Sequence, residues 1–250
     1  MNSKRLPNKV MSKISGEARV IEVIVNRVKK SLYIDEVLVA TTKNSTDDKL
    51  VNFLRKKNIN YYRGPENNVL KRIVKACDNK NPDLLVQLTG DNPAVDPEII
   101  DHMIAYFKKN YSKYDYVTNS AFSNQRKRTI PLGLDVSIIK YSVLKRIEKF
   151  IKKKDLQEHP TLYFYREGKK KYKSINLKMK KKWVTKDPIR LTLDTKQDLK
   201  FLRELFDKII KKKGIFFSTP DIYNIINKNK KLLLINKNIK QKIPLNIFTS

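Results

Sequence analysis

The sequence is short of the features that mark several large classes of protein. It has one cysteine, Cys77, among 250 residues, which excludes an intrachain disulfide framework and a multi-cysteine metal site and favours a reducing, cytoplasmic location. Its longest purely aliphatic run, at 232–235, is far below the roughly 18 residues of a membrane span. The opening, MNSKRLPNKV, lacks the apolar region of a secretory signal. No GxxxxGK(S/T) motif is present, so a P-loop NTPase is not expected.

Acidic residues are also scarce relative to basic ones. Lys and Arg total 55 and Asp and Glu 25, which gives a net charge of +30. Only twelve of the basic residues are Arg, the residue whose forked guanidinium reads base edges, and Lys is spread along the whole chain. We therefore do not expect nucleic-acid binding as the main function. A polyanionic small ligand such as a nucleoside triphosphate would benefit from the same field.

Short apolar runs alternate with segments of helical periodicity. Strands are predicted at 35–41, 59–62, 84–88, 115–119, 133–139, 172–177 and 189–193. Helices are predicted at 18–30, 46–57, 68–78, 96–109, 141–152, 195–212 and 220–228. The alternation predicts an α/β fold with a largely parallel sheet covered on both faces. We expect a single domain over 1–250, in which 213–250 is a helical C-terminal extension.

The stretch LLVQLTGDNPAVDP, at 84–97, places an acid at the end of a buried strand. Asp91 follows the apolar run directly, and ligands of open α/β sheets collect beyond the carboxyl ends of the strands. Two further acids, Asp135 in GLDV and Asp194 in LTLDT, lie in or at the end of predicted strands. If Asp91 and Asp194 end neighbouring strands, both can meet one Mg²⁺, an arrangement that suits phosphoryl or nucleotidyl transfer.

Eight ordered pieces of the chain together resemble a known family. They are MNSKRLPNKV, VLVATT followed by DD, YYRGPENNVLKR, LTGDNPAVDP, DYVTN, PLGLDV, QEHPT and LTLDTKQDL. The chain resembles the cytidylyltransferase-like proteins of the spore coat polysaccharide type, relatives of acylneuraminate and 3-deoxy-manno-octulosonate cytidylyltransferases. The resemblance implies a Rossmann-like nucleotide-diphosphosugar transferase fold. It implies transfer of CMP from CTP to a sugar acid with release of pyrophosphate, for surface polysaccharide or glycoconjugate synthesis.

The resemblance also implies roles on the nucleotide side. The basic opening would bring Ser3, Arg5 and Lys9 to the triphosphate, as their charge and hydroxyl already suggest. The residues implied to line the nucleoside pocket are Ala40, Thr41 and Gln87.

On the same resemblance, Asp91 and Asp194 would hold Mg²⁺ and, with Arg5 and Lys9, carry catalysis. The candidates for the sugar side are Asp135, Glu158 and His159. For His159 a purely structural turn at EHPT is an equal alternative. The implied partners are CTP and a sugar acid, with no nucleic acid and no membrane, and a homodimer would fit this kind of enzyme.

The chain departs from the family at several positions. Family members carry an apolar strand ending in Ala-Arg before the position of Met1. That strand would be central, and its loss would leave buried backbone groups unpaired at about 1–3 kcal/mol each. We therefore expect this start to be internal to a longer natural chain. Asn2 and Asn8 stand where the family usually has Gly, a substitution best tolerated where φ is positive. Asn68 replaces a usual Asp and Ser137 a usual Glu.

Three alternatives remain open at this point. A glycosyltransferase on the same fold would consume a nucleotide sugar in a similar pocket. A homologue without activity would bind nucleotide only, as the absent strand and Asn68 suggest. A basic nucleic-acid binder would show a steep dependence of affinity on salt.

Overall fold

The computed structural model describes residues 5–120 and 128–241. Its strands are β1 Lys13–Ser15, β2 Ala18–Arg19, β3 Val39–Thr42, β4 Tyr61–Gly64, β5 Leu84–Gln87, β6 Tyr116–Thr118, β7 Ser137–Lys140 and β8 Ser174–Asn176. Its helices are α1 Val20–Val28, α2 Asp48–Lys56, α3 Val69–Cys77, α4 Pro97–Lys109, α5 Tyr141–Glu148, α6 Lys154–Glu158, α7 Lys196–Lys213 and α8 Thr219–Lys228. Ser3 lies outside the described residues.

The strands form three separate sheets. β1 and β2 make a small antiparallel hairpin, β3 and β4 pair in parallel, and a third sheet has the order β5-β7-β6-β8. In that sheet β6 and β8 are parallel, whereas β7 runs antiparallel to both β5 and β6. The sheets are therefore mixed rather than largely parallel. No helix lies in the described part of the β6–β7 connection, and without a crossover helix consecutive strands pair as antiparallel neighbours.

Helix starts agree with their sequence signals. The Asp96 carboxylate accepts a hydrogen bond from the Glu98 backbone N–H at 3.0 Å and caps α4, with Pro97 in the first turn. Thr195 caps α7 by accepting from the Asp198 backbone N–H at 3.1 Å. Asn68, in place of the usual Asp, caps α3 through the Lys71 N–H at 2.8 Å.

The strand predicted at 189–193 is wrong. The segment is extended, but it makes a single bridge, between Leu132 and Arg190, rather than a ladder. A longer ladder would use the backbone N–H groups of Leu134 and Ile189, but these donate instead to the carbonyls of Pro131 and Asp187. Similarly, β3 starts at Val39 rather than at 35, and β7 starts at Ser137 rather than at 133.

The helix predicted at 141–152 ends earlier than expected, with α5 stopping at Glu148. The turn predicted around 158–161 is the junction of α6 with a 3₁₀ helix, Pro160–Tyr165. The chain changes direction at His159, which is the C-cap residue of α6 and directly precedes Pro160.

The main core is built largely from helix faces. Its buried side chains come chiefly from α1, α4, α7 and α8 together with the extended segment at 189–193. The predicted C-terminal extension contains α8, whose Ile222 and Ile226 are both buried in this core.

A large cavity separates two of the sheets. β3 and β5 both border this space of about 1410 Å³. Among the described residues, β3 pairs only with β4, and β5 pairs only with β7. No strand in the described ranges pairs with both β3 and β5.

Candidate functional site

Two acids and a lysine meet beyond the end of β5. Lys9, in a short 3₁₀ turn at Lys9–Met11, donates from Nζ to Asp91 Oδ2 at 2.7 Å and to Asp194 Oδ1 at 3.0 Å. The two acid-bearing segments are joined directly, because the Leu193 backbone N–H donates to the Asp91 carbonyl at 2.8 Å. The structure thus brings together Asp91 and Asp194, which are 103 positions apart in the sequence.

The turn that presents Lys9 depends on its preceding residue. Asn8 has φ 58° and ψ 23°, in the left-handed region. Asn tolerates this conformation better than other residues with a side chain, which accounts for its presence where the family usually has Gly.

Two arginines hold the second oxygen of Asp194. Arg5 Nη2 lies 3.2 Å and Arg190 Nη2 lies 2.8 Å from Asp194 Oδ2. Burial alone would raise the pKa of the Asp194 carboxyl, but Lys9, Arg5 and Arg190 outweigh it and lower that pKa. Burial would likewise lower the pKa of Lys9, and Asp91 with Asp194 outweighs it and raises that pKa. Asp194 and Lys9 therefore both carry their charge at neutral pH.

Arg190 also connects Asp194 to the start of α7. It is buried, and its Nε donates to Asp198 Oδ1 at 2.8 Å. Asp198, fully buried, accepts on Oδ2 from the backbone N–H groups of Asp194 at 3.1 Å and Thr195 at 3.0 Å. Sequence reasoning treated Asp198 as a helix-start residue and missed Arg190. The available signal was the spacing of one Arg and two acids four apart in RLTLDTKQD.

The residues expected around a nucleoside face each other across the cavity. Ala40 and Thr41 lie on β3, and Gln87 ends β5. The Thr41 hydroxyl donates to Asp47 Oδ2 at 2.6 Å, so its proton is already engaged. Gln87 Oε1 is buried and has no hydrogen-bond partner within 5–120 and 128–241. This oxygen is free to accept from an amino group such as that of cytosine.

The three residues expected on the sugar side are separated. Glu158 and His159 line the cavity, with His159 Nε2 3.9 Å from Glu158 Oε1. Asp135 is not among the residues that line it. Its Oδ1 accepts from Arg128 Nη2 at 2.7 Å, which holds the carboxylate beside the loop before β7.

Arg72 was not selected from the sequence, although it lies in the piece YYRGPENNVLKR. It lines the cavity from α3 and donates from Nη1 to the Pro65 carbonyl at 2.7 Å. Its Nε is buried without a hydrogen-bond partner in the described part of the chain. A buried guanidinium N–H without a partner, on a residue that lines a cavity, is suited to an anionic ligand.

Asp91 and Asp194 fit a cation that is shared with a substrate. No group of three or more His, Cys, Asp or Glu side chains that could hold a metal ion occurs in the described ranges. Mg²⁺, however, is commonly bound by one or two carboxylates plus substrate phosphates and water. Both carboxylates approach a single ammonium nitrogen within hydrogen-bonding distance, so they are close enough to serve one ion.

Among the described helices, none is both long enough and apolar enough to span a bilayer.

Comparison with known proteins agrees with the fold. Residues 1–239 match a family described as "Cytidylyltransferase". The spore coat polysaccharide biosynthesis protein SpsF of Bacillus subtilis is 32% identical over 234 residues, which cover 92% of this chain and 91% of the relative. The 3-deoxy-manno-octulosonate cytidylyltransferase of Fusobacterium nucleatum is 30% identical over 115 residues, 44% of this chain and 43% of the relative.

A solved structure extends the similarity to three dimensions. The cytidylyltransferase from Leptospira borgpetersenii serovar Hardjo-bovis superimposes with a TM-score of 0.83 at 28% identity, over 97% of this chain and 95% of that one. The α/β nucleotidyltransferase fold expected from the sequence is thereby confirmed. The family match spans nearly the whole chain, and the chain belongs to the cytidylyltransferase family.

Proposed function

We propose that this protein transfers CMP from CTP to a sugar acid of the ulosonic or sialic type and releases pyrophosphate. The observation that carries the proposal is the cluster in which Lys9 contacts both Asp91 and Asp194, beside the cavity that Thr41 and Gln87 line. The cluster offers cations for a triphosphate and carboxylates for a metal ion next to a pocket large enough for a nucleoside. Membership of the family and the similarity to a 3-deoxy-manno-octulosonate cytidylyltransferase support the choice of CTP and a sugar acid.

Arg5 and Lys9 would bind the phosphates of CTP. Both cations are now neutralised by carboxylates, so binding exchanges one anionic partner for another rather than exposing a bare charge. Asp91 and Asp194 would in turn hold Mg²⁺, which when bound offsets the negative charge of the phosphates. Gln87 would accept from the base, and Arg72 would add a donor on the opposite wall.

In the reaction, a hydroxyl oxygen of the sugar forms a bond to the α-phosphorus while the bond from that phosphorus to the bridging oxygen breaks. The hydroxyl proton passes to solvent, and pyrophosphate leaves with the bond electrons. The protein's contribution is to align the two substrates and to stabilise the charge on the leaving group through Arg5 and Lys9. Glu158 and His159, on the cavity wall, would contact the sugar. Asp135 would contact the sugar from the loop before β7.

Pyrophosphate release tests this proposal. The purified protein is incubated with Mg²⁺, each of the four common nucleoside triphosphates, and a panel of eight- and nine-carbon ulosonic acids. We expect release with CTP and one sugar acid. Asp91→Asn and Asp194→Asn should each lose about a hundredfold or more in kcat/KM, since each removes a charge expected to supply several kcal/mol in the transition state.

Asp187→Asn is the matched control, because Asp187 is exposed and lies outside the cluster. It should retain wild-type turnover. Full activity in Asp194→Asn would refute the site. Release of the nucleotide from a nucleotide sugar, with no release of pyrophosphate from CTP, would replace the proposal with a glycosyltransferase.

A further inference from the structure

The described chain ends in a segment that returns to the start of α7. After α8 the chain forms a short 3₁₀ helix, Lys230–Leu234, in which Leu232 is buried in the main core. This anchor places Asn236, which is only 4% exposed, against two partners that lie far away in the sequence. Asn236 Nδ2 donates to the Arg190 carbonyl at 3.1 Å and to Asp198 Oδ1 at 3.1 Å. An amide nitrogen carries two protons, so these two contacts use both of them.

The extended segment that leads to Asp194 has little backbone pairing of its own. It makes one bridge, at Arg190, and one further bond, from the Leu193 N–H to the Asp91 carbonyl. A ladder of backbone hydrogen bonds would fix the course of a strand without help from side chains. Here the side chains must supply that restraint, and Asn236 supplies it at one end of the segment through the Arg190 carbonyl.

Asn236 reaches the other end of the same segment through Asp198. Asp198 Oδ2 accepts from the backbone N–H groups of Asp194 at 3.1 Å and Thr195 at 3.0 Å. Its Oδ1 accepts from Asn236 Nδ2 at 3.1 Å and from Arg190 Nε at 2.8 Å. Because Asp198 is fully buried, a donor that it loses is not replaced by bulk water. The orientation of this carboxylate, and with it the backbone of Asp194, therefore depends on Asn236.

The C-terminal segment also completes the contacts of Arg190. Nε donates to Asp198 Oδ1 and Nη2 to Asp194 Oδ2, each at 2.8 Å, and Nη1 donates to Gln241 Oε1. Each nitrogen of the guanidinium thus has a partner within the protein, which commits Arg190 to the two acids rather than to a ligand. Of the described residues that line the cavity, none comes from 230–241. This segment therefore acts on the site through Arg190 and Asp198.

We propose that Asn236 is a positioning residue for the transfer reaction and that the C-terminal segment at 230–241 is part of the active-site framework. Asn236 fixes Asp198 and the backbone at Arg190, and these in turn fix the Asp194 carboxylate beside Asp91. Groups that orient a catalytic or metal-binding carboxylate are worth about 10- to 100-fold in activity or metal affinity. The catalytic part of this inference rests on the proposed function, whereas its geometrical part does not.

Amide hydrogen exchange, followed by NMR on the full chain without substrates, tests the geometrical part. Asn236→Leu keeps a side chain of similar size without donors, and Asn238→Leu is the matched control, because Asn238 is exposed in the same segment. We expect exchange at the Asp194 and Thr195 amides to quicken by about tenfold or more in Asn236→Leu. The Glu98 amide, which a capping carboxylate holds in the same way at the start of α4, should not change. Asn238→Leu should leave all three amides as they are.

The catalytic part is measured as pyrophosphate release with CTP. We expect kcat to fall by about 10- to 100-fold in Asn236→Leu while KM for CTP changes by less than about threefold. A residue that only stabilises the fold would leave kcat unchanged at temperatures where the variant is folded. Asn236→Ser provides the same test if the leucine variant does not fold, since its short side chain cannot reach both acceptors.

The outcomes separate this inference from the proposed function. Unchanged exchange at Asp194 and Thr195 overturns the inference, whatever the turnover. Faster exchange with an unchanged kcat also overturns it, because Asn236 is then structural only. Faster exchange in Asn236→Leu, from a wild type that does not turn over CTP, contradicts the proposed function and supports the positioning of Asp194 by Asn236.

Discussion

Asp194 is the residue on which most of the site's charge converges. Lys9 holds one of its oxygens, and Arg5 and Arg190 hold the other. Arg190 differs from the other two cations because it is buried and shared with the fully buried Asp198. We interpret Arg190 as a positioning residue, since it fixes Asp194 by tying it to the start of α7. Arg5 and Lys9, which are partly exposed, remain free to turn towards a ligand.

Replacing Arg190 tests this division of roles. Arg190→Met leaves Asp198 buried without its cation, and removal of one partner of a buried ion pair costs about 3–5 kcal/mol. We expect the free energy of unfolding in urea to fall by that amount. Arg203→Met is the matched control, because Arg203 is exposed and its Nε donates to the Lys13 carbonyl rather than to a buried acid. It should cost less than about 1 kcal/mol.

Arg190→Lys separates positioning from stability. It keeps a positive charge beside Asp198 but loses the planar fork that reaches both acids. We expect this variant to stay folded and to lose kcat with CTP more than it raises KM. An Arg190→Met variant as stable as the wild type would contradict the assigned role.

The lowered pKa of Asp194 predicts how the cluster responds to acid. Its pKa in the folded protein is below the unfolded value of about 3.9. The contribution of ionised Asp194 to the free energy of unfolding is therefore complete above the unfolded value, and it is lost as the pH falls through the folded pKa. Lys9 has a raised folded pKa, so its contribution is complete below about 10.4 and is lost only as the pH rises through the folded pKa.

Urea unfolding of the wild type and of Asp194→Asn over a series of pH values measures this effect. The difference in unfolding free energy between the two proteins should be constant between about pH 5 and 8 and should shrink below about pH 4. A difference that persists undiminished at lower pH would show that the ionised form of Asp194 is not what the cluster stabilises.

At the scale of elements, local chemistry was readable and long-range pairing was not. The caps at Asp96 and Thr195 depend on neighbours within three residues, and the sequence predicted both helix starts. The segment at 189–193 was misassigned as a strand because its apolar pattern carries no record of the partner segment near Leu132, where the Leu134 N–H donates to the Pro131 carbonyl instead of extending the pairing. Arg190 was missed although its two partners, Asp194 and Asp198, lie within eight residues of it in the sequence.

Gly133, in the loop before β7, allows the backbone that leads to Asp194 to pass close to this loop. Gly133 has φ +104°, and a Cβ there would lie 2.7 Å from the Leu191 carbonyl carbon. Gly133→Ala must therefore shift the backbone that leads to Asp194. Gly16 is the matched control, because it also has a positive φ, +51°, but a Cβ there would meet nothing within 4 Å.

We expect Gly16→Ala to cost about 1 kcal/mol, from backbone strain alone. Gly133→Ala should cost clearly more, about 2–4 kcal/mol, because overpacking against backbone adds to the strain. It should also lower turnover with CTP by displacing Asp194. Thermal unfolding measures the loss of stability, and pyrophosphate release measures the loss of turnover. Equal losses of stability in Gly133→Ala and Gly16→Ala would contradict the close contact between Gly133 and the Leu191 backbone.

At the scale of the whole molecule, the sequence predicted the fold family. The order of eight short motifs indicated the fold, because most of these motifs lie where a strand ends or a helix starts. The expectation of a further central strand before Met1 stays a prediction. The mixed direction of the third sheet was not predictable, since β7 reads like any other apolar run and its direction is set by the connection that precedes it.

The net charge of +30 is a property of the molecule rather than of the site. The field it creates favours any polyanion, and it therefore does not identify CTP. Selectivity for CTP must come from local geometry, namely from the buried Gln87 oxygen and from the cluster that Lys9 forms with Asp91 and Asp194. The central claim is thus chemical: the α-phosphate of CTP is transferred to a sugar acid.

Following the α-phosphate tests that claim most directly. CTP labelled at the α-phosphate is incubated with Mg²⁺, the ulosonic acid panel and the protein. We predict that the label moves to a new CMP–sugar product and that unlabelled pyrophosphate appears in equal amount. Label that stays in CTP with every sugar acid, or that is released as free CMP at the same rate without a sugar acid, would contradict the account.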